Sequence, residues 1–125
     1  MDLDKRLAIS MVMVSLSRNG YYTYEDVPMG AGLLADIFAA RKSDAGKEDR
    51  IVVEVKAIPS RTSIPSRLES KRLKLREKFG HPVYYAFFIE NQDLLIVDAE
   101  LQQRMRFRDD KIRLEVLPAK MPELT

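Results

Sequence analysis

Apolar residues recur with helical spacing over positions 3–17 (LDKRLAISMVMVSLS). Leu3, Leu7, Met11 and Val14 share one face, which Ala8, Val12 and Leu16 widen. The pattern predicts a helix packed over much of its circumference and closed by Asn19-Gly20. Tyr21–Val27 is aromatic and β-prone and reads as a short strand, after which Pro28–Gly32 (PMGAG) breaks regular structure. Leu33–Ala40 and Arg50–Ile58 are two further β-prone runs. The polar stretch Arg41–Asp49, with Gly46 near its middle, links them as antiparallel neighbours.

Beyond Pro59 and a loop at Ser60–Ser63, Pro65 suits the first turn of a helix over about 65–79. Ile64, Leu68, Leu75 and Phe79 form its buried side and Gly80 ends it. Pro82–Ile89 (PVYYAFFI) is almost wholly apolar, as a central strand covered on both faces would be. Asp93–Asp98 predicts another strand, 99–105 a short helix, Lys111–Leu117 an alternating edge strand, and the chain from Pro118 a loose tail. Helix, three strands, helix and two or three strands make a single α/β domain with a mixed sheet. No internal repeat, low-complexity tract or linker interrupts it.

Composition narrows the chemistry. With 125 residues the chain can bury roughly two-thirds of its unfolded surface in one core. It has no cysteine, which removes disulfides, thiolate zinc sites, iron–sulfur clusters and cysteine nucleophiles. His81 is the single histidine, too few for a His-rich metal site. No apolar run approaches the ~20 residues that span a bilayer. The start, Met1–Arg6 (MDLDKR), lacks the order of a signal peptide, so a cytoplasmic protein with no membrane partner is expected. Net charge is +2, but residues 61–82 hold seven Lys/Arg against two acidic residues, while the flanking parts are slightly acidic. Basic charge gathered in one segment suggests an anionic partner, with a solvated helix face as the alternative.

The informative constellation is Asp36 and Glu54-Val55-Lys56. If the two runs pair around a turn near Ala45, residues whose numbers sum to 90 face one another, and Asp36 lies opposite Glu54. Directly opposed side chains have Cβ atoms about 4.5–5.5 Å apart, where like charges repel. Lys56 emerges on the same face as Glu54. The surrounding residues are apolar, so these charges are costly unless compensated. A hard divalent cation would bridge the carboxylates, with the Val55 carbonyl as a further oxygen ligand. Lys56 would then orient or activate a water. A salt-bridge network without metal is the other reading of the same spacing.

These residues, the aliphatic run before Glu54 and the basic helix after it resemble the restriction-endonuclease-like PD-(D/E)xK nuclease superfamily. Holliday-junction resolvases and transposon- or phage-encoded endonucleases belong to it. The resemblance spans about residues 3–98. It implies an α/β fold with a central mixed sheet flanked by helices on both faces. It also implies Mg²⁺-dependent DNA phosphodiester hydrolysis, with Mn²⁺ able to substitute. Asp36 and Glu54 would be the metal ligands and Lys56 the catalytic lysine. Duplex or branched DNA would be the substrate, with a homodimer or a larger nucleoprotein complex as the working assembly. Two positions depart from the pattern. Ala35 replaces the proline before the aspartate, and the first helix carries no glutamate for the metal, for which Glu25 is the stand-in.

Arg67, Lys71, Lys74 and Lys78 form one stripe on the predicted helix, opposite Ile64, Leu68, Leu75 and Phe79, and would track a phosphate backbone. Arg61, with Ser60 and Ser63, would reach the scissile phosphate. Tyr21, Tyr22 and Tyr24 are candidates for base stacking, although half of an alternating strand points inward. His81 reads as a capping or surface residue, Gly30-Ala31-Gly32 as a flexible approach to Asp36, and Met11, Met13 and Met29 as packing. The rival to an enzyme is a non-catalytic nucleic-acid-binding or regulatory protein on the same fold, such as an element-excision controlling factor. A third reading makes the acid–lysine cluster purely structural.

Overall fold

The computed structural model describes residues 3–30, 32–43, 45–61, 64, 66–89, 92, 94–106 and 113–117. Within them the chain runs α1 (Leu3–Arg18), β1 (Tyr22–Gly30), β2 (Leu33–Lys42), β3 (Glu48–Ile58), α2 (Leu68–Phe79), β4 (Val83–Ile89), β5 (Leu94–Asp98), α3 (Ala99–Met105) and β6 (Arg113–Leu117). The strands form one mixed sheet in the order β1-β2-β3-β4-β5-β6. β1–β2, β2–β3 and β4–β5 are antiparallel. β3–β4 and β5–β6 are parallel, bridged by α2 and α3, since a parallel neighbour needs a crossover. This is the α/β architecture with helices on both faces that the sequence implies. No helix among the described residues is long and apolar enough to cross a membrane.

One face of the sheet packs against α1 and α3. Ala8, Ile9, Val12, Leu16, Leu101 and Met105 meet Ile37, Ile51, Val53, Val55 and Val97 there. α2 covers part of the other face, where Leu68 and Leu75 lie against Ile58, Tyr85 and Phe87. β4 is buried at every position, as its unbroken apolar run requires. Met11 and Met13 pack on the first cluster and Met29 on a third beside Phe79, which confirms their packing role.

Several expectations are corrected. In α1, Leu7 and Val14 are about half exposed, and the buried stripe is Ala8, Ile9, Val12 and Leu16. A helix apolar over most of its surface does not reveal which side meets the sheet. β1 continues through Pro28 to Gly30 instead of breaking. It is an edge strand, where the missing proline N–H costs no ladder bond, and its register shifts between Pro28 and Gly30. α2 starts at Leu68, later than expected, because the Ile64 N–H bonds the Arg61 carbonyl in a turn and Arg67 takes non-helical angles. Gly80 adopts φ 75° and its N–H bonds the Arg76 carbonyl, so that helix ends where a glycine allows it. Pro65, Ser63, Asp93, Lys111, Ile112 and the tail from Pro118 lie outside the described residues.

Candidate metal and nucleic-acid site

The β2–β3 register runs from Ile37↔Val53 to Lys42↔Glu48, so paired residues sum to 90 as the spacing predicts. The turn between them is held by Ser43 N–H to the Lys47 carbonyl (2.7 Å) and Gly46 N–H to the Ser43 carbonyl (2.9 Å). Asp36 and Glu54 are the next residues in register, just past the last ladder pair. There Asp36 Oδ2 accepts the Val55 backbone N–H at 2.9 Å, so a carboxylate replaces a ladder carbonyl. The side chain of Asp36 is 19% exposed, and the Lys5 ammonium of α1 lies 3.8 Å from Oδ1.

Glu54 is half-buried and carries the frustration of the site. Its Oε1 is buried with no hydrogen-bond partner. Burial first, then hydrogen bonding to and repulsion by Asp36, push its pKa up to about 8, against a smaller opposing pull from Lys56. Across β4, Tyr85 is Glu54's register partner. Burial and then the charges of Glu54 and Asp98 raise the phenol's pKa. Lys56, two residues on, is exposed on the Glu54 face.

Asp36, Glu54 and Lys56 are therefore brought together. The other sequence candidates divide. Glu25 is exposed and paired with Ile37, and among the described residues no group of three or more acidic or histidine side chains could hold a metal ion. The stand-in role for Glu25 thus has no geometric support. Lys71, Lys74 and Lys78 are exposed on α2. Arg67 is exposed too, but it precedes the helix as its N-cap residue and so heads the stripe from outside. Arg61 is ion-paired with Glu115 of β6, away from the carboxylates in its bonding. Tyr21 is buried and its hydroxyl donates to Asp49 (2.6 Å), which removes it from base stacking, whereas Tyr22 and Tyr24 are exposed. His81 is partly exposed and meets the Phe38 ring edge-on at 5.5 Å.

Lys5 was not legible as a site residue. Its signal is positional: Lys5, Ile9, Val12 and Leu16 follow one stripe, so Lys5 extends the buried face of α1 toward the end of the sheet. A second arrangement also went unseen. Asp98 Oδ2 accepts the Tyr85 N–H at 2.9 Å, again one step past a ladder end, and Arg72 lies 3.3 Å from its Oδ1. Arg72 is thereby engaged with Asp98 and Glu69.

A 540 Å³ polar cavity lies elsewhere, lined by Arg41, Glu100, Gln103 and Arg104. Its two guanidinium groups converge on Asp49, and Arg104 also donates to the Tyr21 hydroxyl at 3.0 Å. Tyr84 donates to Glu100 at 2.8 Å. This network ties α3 to the sheet.

The donor set fits a hard divalent cation. It offers two adjacent carboxyls, one with an unpartnered buried oxygen, and Mg²⁺ is commonly held by one or two carboxylates with water and phosphate oxygens completing its shell. No protein-family model matches the chain, and no curated protein sequence matches it. Among solved structures it is similar to Hjc, a Holliday junction resolvase from the archaeal hyperthermophile Archaeoglobus fulgidus. That similarity has a TM-score of 0.43 and 16% identity, and it covers 70% of this chain and 66% of that one.

Proposed function

We propose that this chain is a divalent-metal-dependent endonuclease that hydrolyses DNA phosphodiester bonds, with Mg²⁺ as its ion and Mn²⁺ able to substitute. The observation that carries the reading is Glu54 Oε1, buried and unpartnered beside Asp36. A buried carboxyl with an idle oxygen and a raised pKa is expensive as architecture, and perturbed acids of this kind gather at functional sites. Asp36 and Glu54 would hold the cation, with the Val55 carbonyl as a further oxygen. The bound ion would supply Lewis-acid polarisation of the phosphate and a lowered pKa for water.

The chain's own residues do the rest. Lys56 orients the attacking water and offsets charge gathering on the phosphate. The Val55 N–H fixes the Asp36 carboxylate, so the site is set before substrate arrives. Lys71, Lys74 and Lys78 hold flanking phosphates. Cutting both strands of a duplex takes two such centres, which makes a two-fold homodimer part of the proposal.

One observation favours the non-catalytic reading. Among the described side chains, the group that α1 brings to Asp36 is the Lys5 ammonium. Plasmid and four-way-junction DNA incubated with Mg²⁺ or Mn²⁺ separate the two. Cutting by wild type that vanishes in folded Lys56→Ala and Asp36→Asn supports the enzyme. A folded wild type that binds DNA and cuts neither substrate is the regulatory binder.

A further inference from the structure

Tyr22 and Tyr24 are 73% and 54% exposed on β1, an edge strand. Thr23 between them turns the other way, toward α1, where its Oγ1 lies 3.4 Å from Ser17 Oγ. Both phenol rings therefore stand on the opposite face, the one partly covered by α2. Tyr24 pairs with Phe38, Phe38 with Val52 and Val52 with Val83, while Tyr22 pairs with Ala40 and Ala40 with Arg50. Glu54 is two residues from Val52 on that same face, and Asp36 two from Phe38. Two residues along a strand span about 6.6 Å. The Tyr24 row thus lies two residues along the strands from the carboxylates, and the Tyr22 row four.

We infer that Tyr22 and Tyr24 form a base-stacking platform that takes unpaired nucleotides beside the carboxylate pair. The favoured substrate is then DNA with a single-stranded segment, and uninterrupted duplex is the poorer one. This rests on the nuclease reading above and adds the substrate's form to it. Rings presented from adjacent positions on a strand face offer each of two successive bases a planar partner, and such stacking tolerates any sequence. Continuous duplex keeps its base faces stacked internally and gives the rings nothing. The rim of the face suits a phosphate backbone: Arg50 follows Ala40 in the Tyr22 row, Lys42 ends β2, and Lys78 precedes Phe79, which packs in the cluster that includes Phe38. Arg50 is shared with Glu48 at 2.7 Å and Lys42 is Glu48's register partner, so this corner of the rim keeps one positive charge in excess, and Lys78 adds another.

The test uses fluorescence anisotropy on the full chain in Ca²⁺, with a labelled single-stranded oligonucleotide and the same sequence as duplex. Variants are Tyr22→Ala/Tyr24→Ala, Tyr22→Phe/Tyr24→Phe and Lys71→Ala/Lys74→Ala, each checked by circular dichroism. Expected are a loss of about tenfold or more on the single strand in the alanine pair, less than about twofold on duplex, and retention in the phenylalanine pair. Equal losses on both forms, or none on either, overturn the platform. If the lysine pair alone weakens binding, the nucleic-acid reading survives without the platform. If wild type binds neither form, both fail. Sedimentation of wild type as a dimer that the alanine pair splits overturns the inference in favour of a contact between copies.

Discussion

Asp36 accepts the Val55 backbone N–H through Oδ2 at 2.9 Å, one register step past the end of the β2–β3 ladder at Ile37 and Val53. The bond divides the carboxylate's duties. One oxygen completes the sheet, and the other faces Lys5 and the space beside Glu54.

That division predicts the outcome of Asp36→Asn. An amide oxygen still accepts the Val55 N–H, so the fold persists and Tm moves by less than about 5 °C. Mg²⁺ affinity falls by about tenfold or more and cleavage is abolished. Calorimetric titration with Mg²⁺ beside a melting curve checks both halves.

Glu54→Gln reads the strained carboxyl. With its folded pKa raised to about 8, the native state binds more protons than the unfolded chain between pH 4.5 and 8. Wild-type stability without metal therefore falls as pH rises through that window and levels off above it. The glutamine variant lacks this slope. At pH 8 it should be more stable by about 1–2 kcal/mol, allowing for the solvent that reaches the group. Urea unfolding at pH 5, 6.5 and 8 in the presence of chelator measures the difference; parallel pH profiles would refute it.

Lys56→Ala removes an exposed side chain and leaves the core untouched. Cleavage drops by about 10²- to 10⁴-fold, the scale of a proton-transfer or water-orienting group, while DNA and metal affinities change little. Single-turnover rates against anisotropy titrations separate the two effects.

Replacing Lys71, Lys74 and Lys78 together tests the α2 stripe. If all three meet phosphates, the slope of log affinity against log salt shrinks by about 2–3. An unchanged slope would mean that these residues are simply a solvated face.

Much of this is legible in the sequence. Pairing Leu33–Ala40 with Arg50–Ile58 around a turn near Ala45 gives the hairpin register, and with it the opposition of Asp36 and Glu54. Period-two patterns carry register because a one-residue slip moves every apolar side chain to the wrong face. The hidden parts were those that depend on distant chain. Arg61 meets Glu115 only because β6 joins the sheet. Lys5 on a helix reads as solvated until the sheet beneath it is in place. The orientation of α1 was illegible for a related reason, since Leu7 and Val14 are as apolar as the residues that are buried. Helix periodicity also overran at Arg67, where a turn takes the backbone before the helix begins.

Strand order in this sheet follows chain order throughout. Asp36, Glu54 and Lys56 accordingly come from one hairpin, closed by a short turn, and the centre can take shape as soon as that segment does. Distant elements then contribute its dryness more than its geometry. Substitutions in β4 or α2 that admit water would first change how tightly Glu54 keeps its proton, and only later where its carboxyl points.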